Sequence, residues 1–169
     1  MKIKTTLAGL MCLLLFNACS TSRIELDAST KNKCLAVLRE GLASDQFWPS
    51  IHAAEALMLA GHSAEVRRHL EPKLKTEKDD QKRCGLSREL VRAGAKPKSA
   101  VMLGILKGAD THGHVHAAES LYKVGEIGDG VALRRAFSQT KNLRLRVMAA
   151  AALGRCGNPK AMAVLREIL

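Results

Sequence analysis

Leu57, Leu90, Leu121 and Leu153 divide the chain into steps of 33, 31 and 32 residues, and a glycine follows each leucine four positions later, at Gly61, Gly94, Gly125 and Gly157. Self-similarity at a fixed period of this length means one supersecondary unit copied and stacked, because a single copy cannot bury its own apolar face. Small residues crowd the stretch before the glycines: Ala53, Ala54 and Ala56, then Ala117 and Ala118, then Ala149 to Ala152. They let helix backbones approach closely, while the glycine suits the left-handed conformation that ends a helix. A second register places apolar pairs at i, i+4: Leu38 and Leu42, Leu70 and Leu74, Met102 and Leu106, Leu133 and Phe137, Leu165 and Leu169, in steps of 32, 32, 31 and 32. Two registers per period predict two short helices per repeat. Turns fall at Ser63, Pro97, Asp129 and Asn158-Pro159, residue types that cap or open helices. Ala36-Val37-Leu38-Arg39-Glu40 recurs as Ala163-Val164-Leu165-Arg166-Glu167, so the repeats open on a second helix with no first, and nine helices are expected.

Composition agrees. A chain of 169 residues has room for one ordinary domain. Aromatic residues are only 3%, while Ala and Leu are abundant, which argues against a β-sandwich or barrel and for helices packed through small aliphatic side chains. Charged residues at 25% without a low-complexity run exclude wholesale disorder. The expected fold class is all-α, an α-solenoid of about four helix pairs preceded by one extra helix.

The best-formed repeat, Ala149-Ala150-Ala151-Ala152-Leu153-Gly154-Arg155-Cys156-Gly157-Asn158-Pro159-Lys160-Ala161, resembles the short bacterial HEAT-like repeat of the phycobilisome-lyase type, with its AAxALGxxGxxxA pattern. The first and third repeats share the pattern moderately and the second shares only its phase; together they cover residues 34–169. The resemblance implies curved stacks of helix pairs that bind other macromolecules and only occasionally catalyse a reaction.

The N-terminal segment reads as an address. Lys2 and Lys4 precede a nearly unbroken apolar stretch from Leu7 to Phe16, the layout of a secretory signal peptide. Ten residues are too few for a hydrocarbon core that needs about 20. Leu15-Phe16-Asn17-Ala18-Cys19 resembles the bacterial lipobox, which implies lipidation of Cys19, and Ser20 resembles the pattern sent on to the outer membrane. The expected organisation is a signal peptide over residues 1–18, a lipidated N-terminus and polar tether over 19–33, and the HEAT-like domain over 34–169. Such a protein would face the periplasm from the outer membrane. Without lipidation it would be secreted or periplasmic, cut near Ala18.

Equivalent positions in aligned repeats show what a site tolerates. Cys84 matches Ile51, Val115 and Val147, and Cys156 matches Ala60, Ala93 and Val124, so both are expected as core thiols. Cys34, Cys84 and Cys156 fall in different repeats, which stack about 10 Å apart, too far for a disulfide's Cα separation of about 7 Å or less. His112, His114 and His116 form the strongest metal hint. On a helix, His112 and His116 would share a face, and the His116/Glu119 spacing repeats that of His52 and Glu55. The iron-binding HEAT-like hydroxylases carry adjacent His-Glu pairs here, but this chain reads Ile51-His52 and Val115-His116, so that motif is absent. No nucleophile elbow, Walker loop, dinucleotide glycine motif or CxxC pair occurs. The expectation is therefore a binding module with no cofactor and no catalytic residues, and the alternative a metal-binding or catalytic protein built on His112, His114, His116 and Glu119.

Removing Lys2 and Lys4 takes 27 basic residues to 25 against 16 acids, a net charge of +9. Basic residues collect on the second helices and their turns: Arg39, Arg67, Arg68, Lys96, Lys98, Arg134, Arg135 and Arg166. Because second helices commonly line the concave face of HEAT-like stacks, the resemblance implies a basic groove, with Arg67, Arg68, Arg134, Arg135 and Arg166 as candidate partner-binding residues. An exported protein rarely meets nucleic acid. A protein partner or an acidic envelope component fits the address better, with the membrane reached through the lipid. Phe47 and Trp48 are expected to cap the first full repeat over the opening helix. Val164, Leu165, Ile168 and Leu169 leave the last helix apolar and uncapped, a possible surface for self-association.

Overall fold

A computed structural model describes residues 25–168. Among them are nine α-helices, α1 (Ala28–Ala43), α2 (Phe47–Leu59), α3 (Ser63–Thr76), α4 (Asp80–Arg92), α5 (Ser99–Lys107), α6 (His114–Val124), α7 (Val131–Gln139), α8 (Leu143–Arg155) and α9 (Pro159–Ile168), with one 3-10 turn at Lys96–Lys98 and no strand. The molecule is all-α, four helix pairs in solenoid order preceded by one extra helix. Cys19 and Leu169 lie outside the described residues, and with them the expected signal peptide, the expected lipidation at Cys19 and the last residue of the apolar C-terminal pattern.

The repeating leucine and glycine work as one local device. Each glycine has a positive φ, +90° at Gly61, +97° at Gly94, +69° at Gly125 and +85° at Gly157. That turn lets the following residue donate its N–H to the carbonyl of the repeat leucine: His62 to Leu57 (2.9 Å), Ala95 to Leu90 (2.8 Å), Glu126 to Leu121 (3.3 Å) and Asn158 to Leu153 (3.0 Å). The glycine's own N–H reaches the next carbonyl along, so each first helix ends in a complete Schellman motif. Each of these leucines is buried to 2% exposure or less. The same residue thus anchors the core with its side chain and closes the helix with its carbonyl.

Starts are equally local. Asp79 and Asn142 accept backbone N–H bonds from Lys82 (2.9 Å) and Leu145 (3.2 Å) at the openings of α4 and α8. Asn158 caps α9 through the Ala161 N–H, with Pro159 in the first turn. The Asp27 carboxylate takes the Thr30 N–H at 3.0 Å and its hydroxyl at 2.6 Å. That cap starts α1 at Ala28, so residues 28–33, expected as tether, are helical; the compact repeat unit runs from Cys34.

First helices pack in succession, α2 on α4, α4 on α6 and α6 on α8, and α3, α5 and α7 each pack on the first helix that follows. Helices α6 and α8 pack on one another, and Ala117 and Ala118 of the first and Ala149 and Ala150 of the second are all fully buried. The second register also points inward: Leu42, Leu70, Met102, Leu106 and Leu133 are buried, with Leu38, Leu74, Phe137 and Leu165 half-buried against them. Two apolar clusters result. One joins α1–α4 around Leu57, Leu70 and Leu90; the other joins α4–α9 around Leu121, Leu133 and Leu153.

Candidate functional site

Arg39 on α1, Arg67 and Arg68 on α3, Arg134 and Arg135 on α7 and Arg166 on α9 are all exposed on second helices. Three of them are engaged locally. Arg39 ties α1 to α3 through both Glu65 oxygens, at 2.9 and 3.2 Å, and this guanidinium holds the Glu65 carboxyl below its usual range. Arg67 pairs loosely with Glu71 at 3.5 Å, and Arg134 donates to the Asp129 carbonyl at 3.0 Å. Arg68, Arg135 and Arg166 have no carboxylate within ion-pair distance among the described residues. The second helix between these groups, α5, reads Ser-Ala-Val-Met-Leu-Gly-Ile-Leu-Lys and contributes only Lys107. Cationic side chains therefore come in two sets, on α1/α3 and on α7/α9, separated in the chain by an apolar helix.

The histidines go three ways. His112 precedes the helix, because α6 begins only at His114, so His112 and His116 do not share a helical face. The His112 ring lies 3.3 Å from Asp79, across the loop from α4. His114 Nε2 lies 3.1 Å from the Gly108 carbonyl, and His116 stacks on Trp48 with centroids 6.0 Å apart and planes 22° apart. Glu119 pairs with Lys123 at 2.8 Å, which lowers its carboxyl below the usual range, and Glu55 pairs with Arg92. Among the described residues no three His, Cys, Asp or Glu side chains are placed to share a metal ion.

The stacked pair adds a contact to the expected aromatic cap. Phe47 and Trp48 lie against α4: a Cβ added at Gly85 would meet Phe47 at 3.4 Å and Trp48 at 3.5 Å. Gly85 is the vacancy in α4 over which Trp48, on α2, reaches His116, on α6. Phe47 and Trp48 meet edge to face at 4.8 Å, with the Lys82 ammonium 5.6 Å from the Phe47 centroid. The one sequence signal was a glycine inside a helix away from any turn.

A second arrangement not anticipated from sequence is the ionic network of α4. Glu89 has 0% exposure and Arg88 7%. The Arg88 Nε donates to Glu89 at 2.5 Å, and Arg92 binds Glu89 at 3.2 Å and Glu55 of α2 at 2.6 Å. The position before the repeat leucine, Ala56, Ser120 or Ala152 elsewhere, is where α4 buries its carboxylate.

The two matched cysteines part company. Cys84 is fully buried, with burial pushing its thiol up to about 12. Cys156 is exposed, as is Cys34. Position 156 is apolar in the repeat because it closes the helix just before the glycine, where burial varies: Ala60 is exposed, Ala93 buried and Val124 intermediate.

Near Arg135 the second-helix side carries a recess of about 280 Å³, between the end of α5, α7 and the starts of α6 and α8. Its floor is Leu106, Ala132, Ala136 and Leu145, all buried; Arg135 and His114 supply charge and polarity, and no carboxylate lines it. No protein-family profile and no curated protein matches this sequence. No helix among the described residues is long and apolar enough to cross a membrane.

Proposed function

We propose that this protein is an exported, HEAT-like repeat module, anchored through a lipid on Cys19, that binds an acidic protein or envelope component along its second helices and catalyses nothing. The observation that carries this reading is the set of exposed second-helix arginines, of which Arg68, Arg135 and Arg166 have no carboxylate partner among the described residues. Cations left unsatisfied within a fold attract an acidic surface and speed its approach. Local engagement of His112, His114 and His116 favours binding over metal chemistry.

The test is capture from membranes with a C-terminal tag, comparing wild type with Cys19→Ala and with the pair Arg67→Glu, Arg68→Glu. The expected result is acylated, membrane-bound wild type recovering one acidic partner, a soluble Cys19→Ala, and loss of that partner on charge reversal or in high salt. Identical fractionation of Cys19→Ala would remove the anchor, and a partner indifferent to reversal would remove the basic surface.

A further inference from the structure

We propose that the recess beside Arg135 is an anchor for the C-terminal residue of a partner polypeptide, the guanidinium taking its carboxylate and the apolar floor its side chain. This rests on the reading of the second-helix side as the binding surface and names what is bound there.

The chemistry of the lining selects this occupant. Arg135 has no carboxylate partner among the described residues, whereas its neighbour Arg134 is turned back onto the Asp129 carbonyl. A guanidinium presents parallel donors that match both oxygens of a carboxylate, so Arg135 is a fork left open. Leu106, Ala132, Ala136 and Leu145 place a buried apolar floor in the same recess. A ligand must therefore offer a negative charge and an apolar group side by side. A C-terminal residue does so from one carbon, since its carboxylate and side chain both leave the same Cα. An internal Asp or Glu has nothing apolar beyond its carboxylate and would leave the floor empty.

Size agrees. At about 280 Å³ the recess falls just under the range of about 300–1,000 Å³ typical of small-molecule pockets, room for one residue rather than an extended ligand. Capture of a terminal carboxylate is an established mode of peptide recognition, with the rest of the peptide free to run over the surface. Here that surface carries the remaining exposed arginines of α7 and α9.

The experiment is calorimetric titration of the full chain with an acetylated tripeptide ending in Leu, as the free acid and as the C-terminal amide. The free acid is expected to bind and the amide to bind at least about tenfold more weakly. Arg135→Gln should weaken the acid by a similar factor, and Arg135→Lys should keep the charge but lose part of the affinity because the fork is gone. Arg67→Glu with Arg68→Glu should leave tripeptide binding unchanged. Equal binding of acid and amide, or full affinity in Arg135→Gln with circular dichroism unchanged, would overturn the proposal. Octanoate binding where the peptide does not would also overturn it, in favour of a small-carboxylate site. No tripeptide binding, with capture of an acidic partner still abolished by reversal at Arg67 and Arg68, overturns the anchor and leaves the wider surface standing. Tripeptide binding at Arg135 with capture indifferent to that reversal supports the anchor and removes the surface.

Discussion

Helices α4 and α8 occupy the same place in their repeats and solve the same packing problem in opposite ways. In α8 the three residues before the leucine are Ala150, Ala151 and Ala152, and the helix closes on α6 through methyl groups. In α4 the same three are Ser87, Arg88 and Glu89, all buried, and the helix is held by a carboxylate shared between Arg88 and Arg92, with Arg92 reaching Glu55 on α2. A repeat's phase is carried by its leucine and its glycine alone. Between them the stack accepts either close-packed alanines or a partnered ionic cluster, because neither leaves a buried charge unpaired.

That contrast can be broken most sharply at Glu89. Glu89→Gln leaves Arg88 buried without a counter-charge and is expected to cost about 3–5 kcal/mol, seen as a large fall in the urea midpoint. The double change Arg88→Ala, Glu89→Ala makes α4 read like α8 and should recover much of that loss; a double variant weaker than the single would show that the cluster, not the burial of an unpaired charge, sets the stability. In the alanine-packed half the corresponding fault is overpacking. Ala150→Leu pushes a branched side chain into the core around α8, where Ala150 is fully buried, and should cost about 1–3 kcal/mol.

Ser87→Ala sharpens the comparison from the other side. The Ser87 hydroxyl is buried with no hydrogen-bond partner, at a position where the other first helices carry Ala54, Ala118 and Ala150. Removing it is expected to stabilise the protein by about 1 kcal/mol, measured as a rise in urea midpoint at constant slope.

The smallest expected effect is a pH dependence confined to the N-terminal half. Burial first, then the neighbouring Lys73, lowers the His69 pKa below its ordinary 6.5, and its Nε2 has no partner inside the fold. The unfolded chain therefore takes up this proton more readily than the folded one. Stability is full above about pH 6.5 and falls as pH drops from there toward the lowered folded value. Hydrogen exchange at pH 7 and pH 5.5 should show α3 amides losing protection in wild type and not in His69→Leu; equal loss in both would assign the acid response to other groups.

Much of the fold was legible because its decisive interactions are short-range. The leucine carbonyl, the glycine and the residue after it lie within six positions, so the glycine stops could be read from spacing alone, and so could the cap at Asn158, whereas the caps at Asp79 and Asn142 were not read. The candidate site was legible only in part. Arg135 was visible as one basic residue among several, but its recess is made by Leu106 on α5, His114 on α6 and Leu145 on α8, which sequence places up to 29 residues away. The histidine cluster was legible only in part for the same reason: three imidazoles close in sequence take separate partners, Asp79, the Gly108 carbonyl and Trp48, which other segments supply.

By itself, the sequence determined the all-helical repeat, its phase and where each first helix stops, since those depend on backbone geometry and on neighbours a turn away. Only the tertiary structure decided that Glu89 is buried, that Trp48 crosses Gly85 to His116, that Cys156 faces solvent while Cys84 does not, and that Arg135 overlooks an apolar recess. Each of these is set by a side chain from another helix, and one repeat step of 31 to 33 residues separates positions that stacking brings into contact.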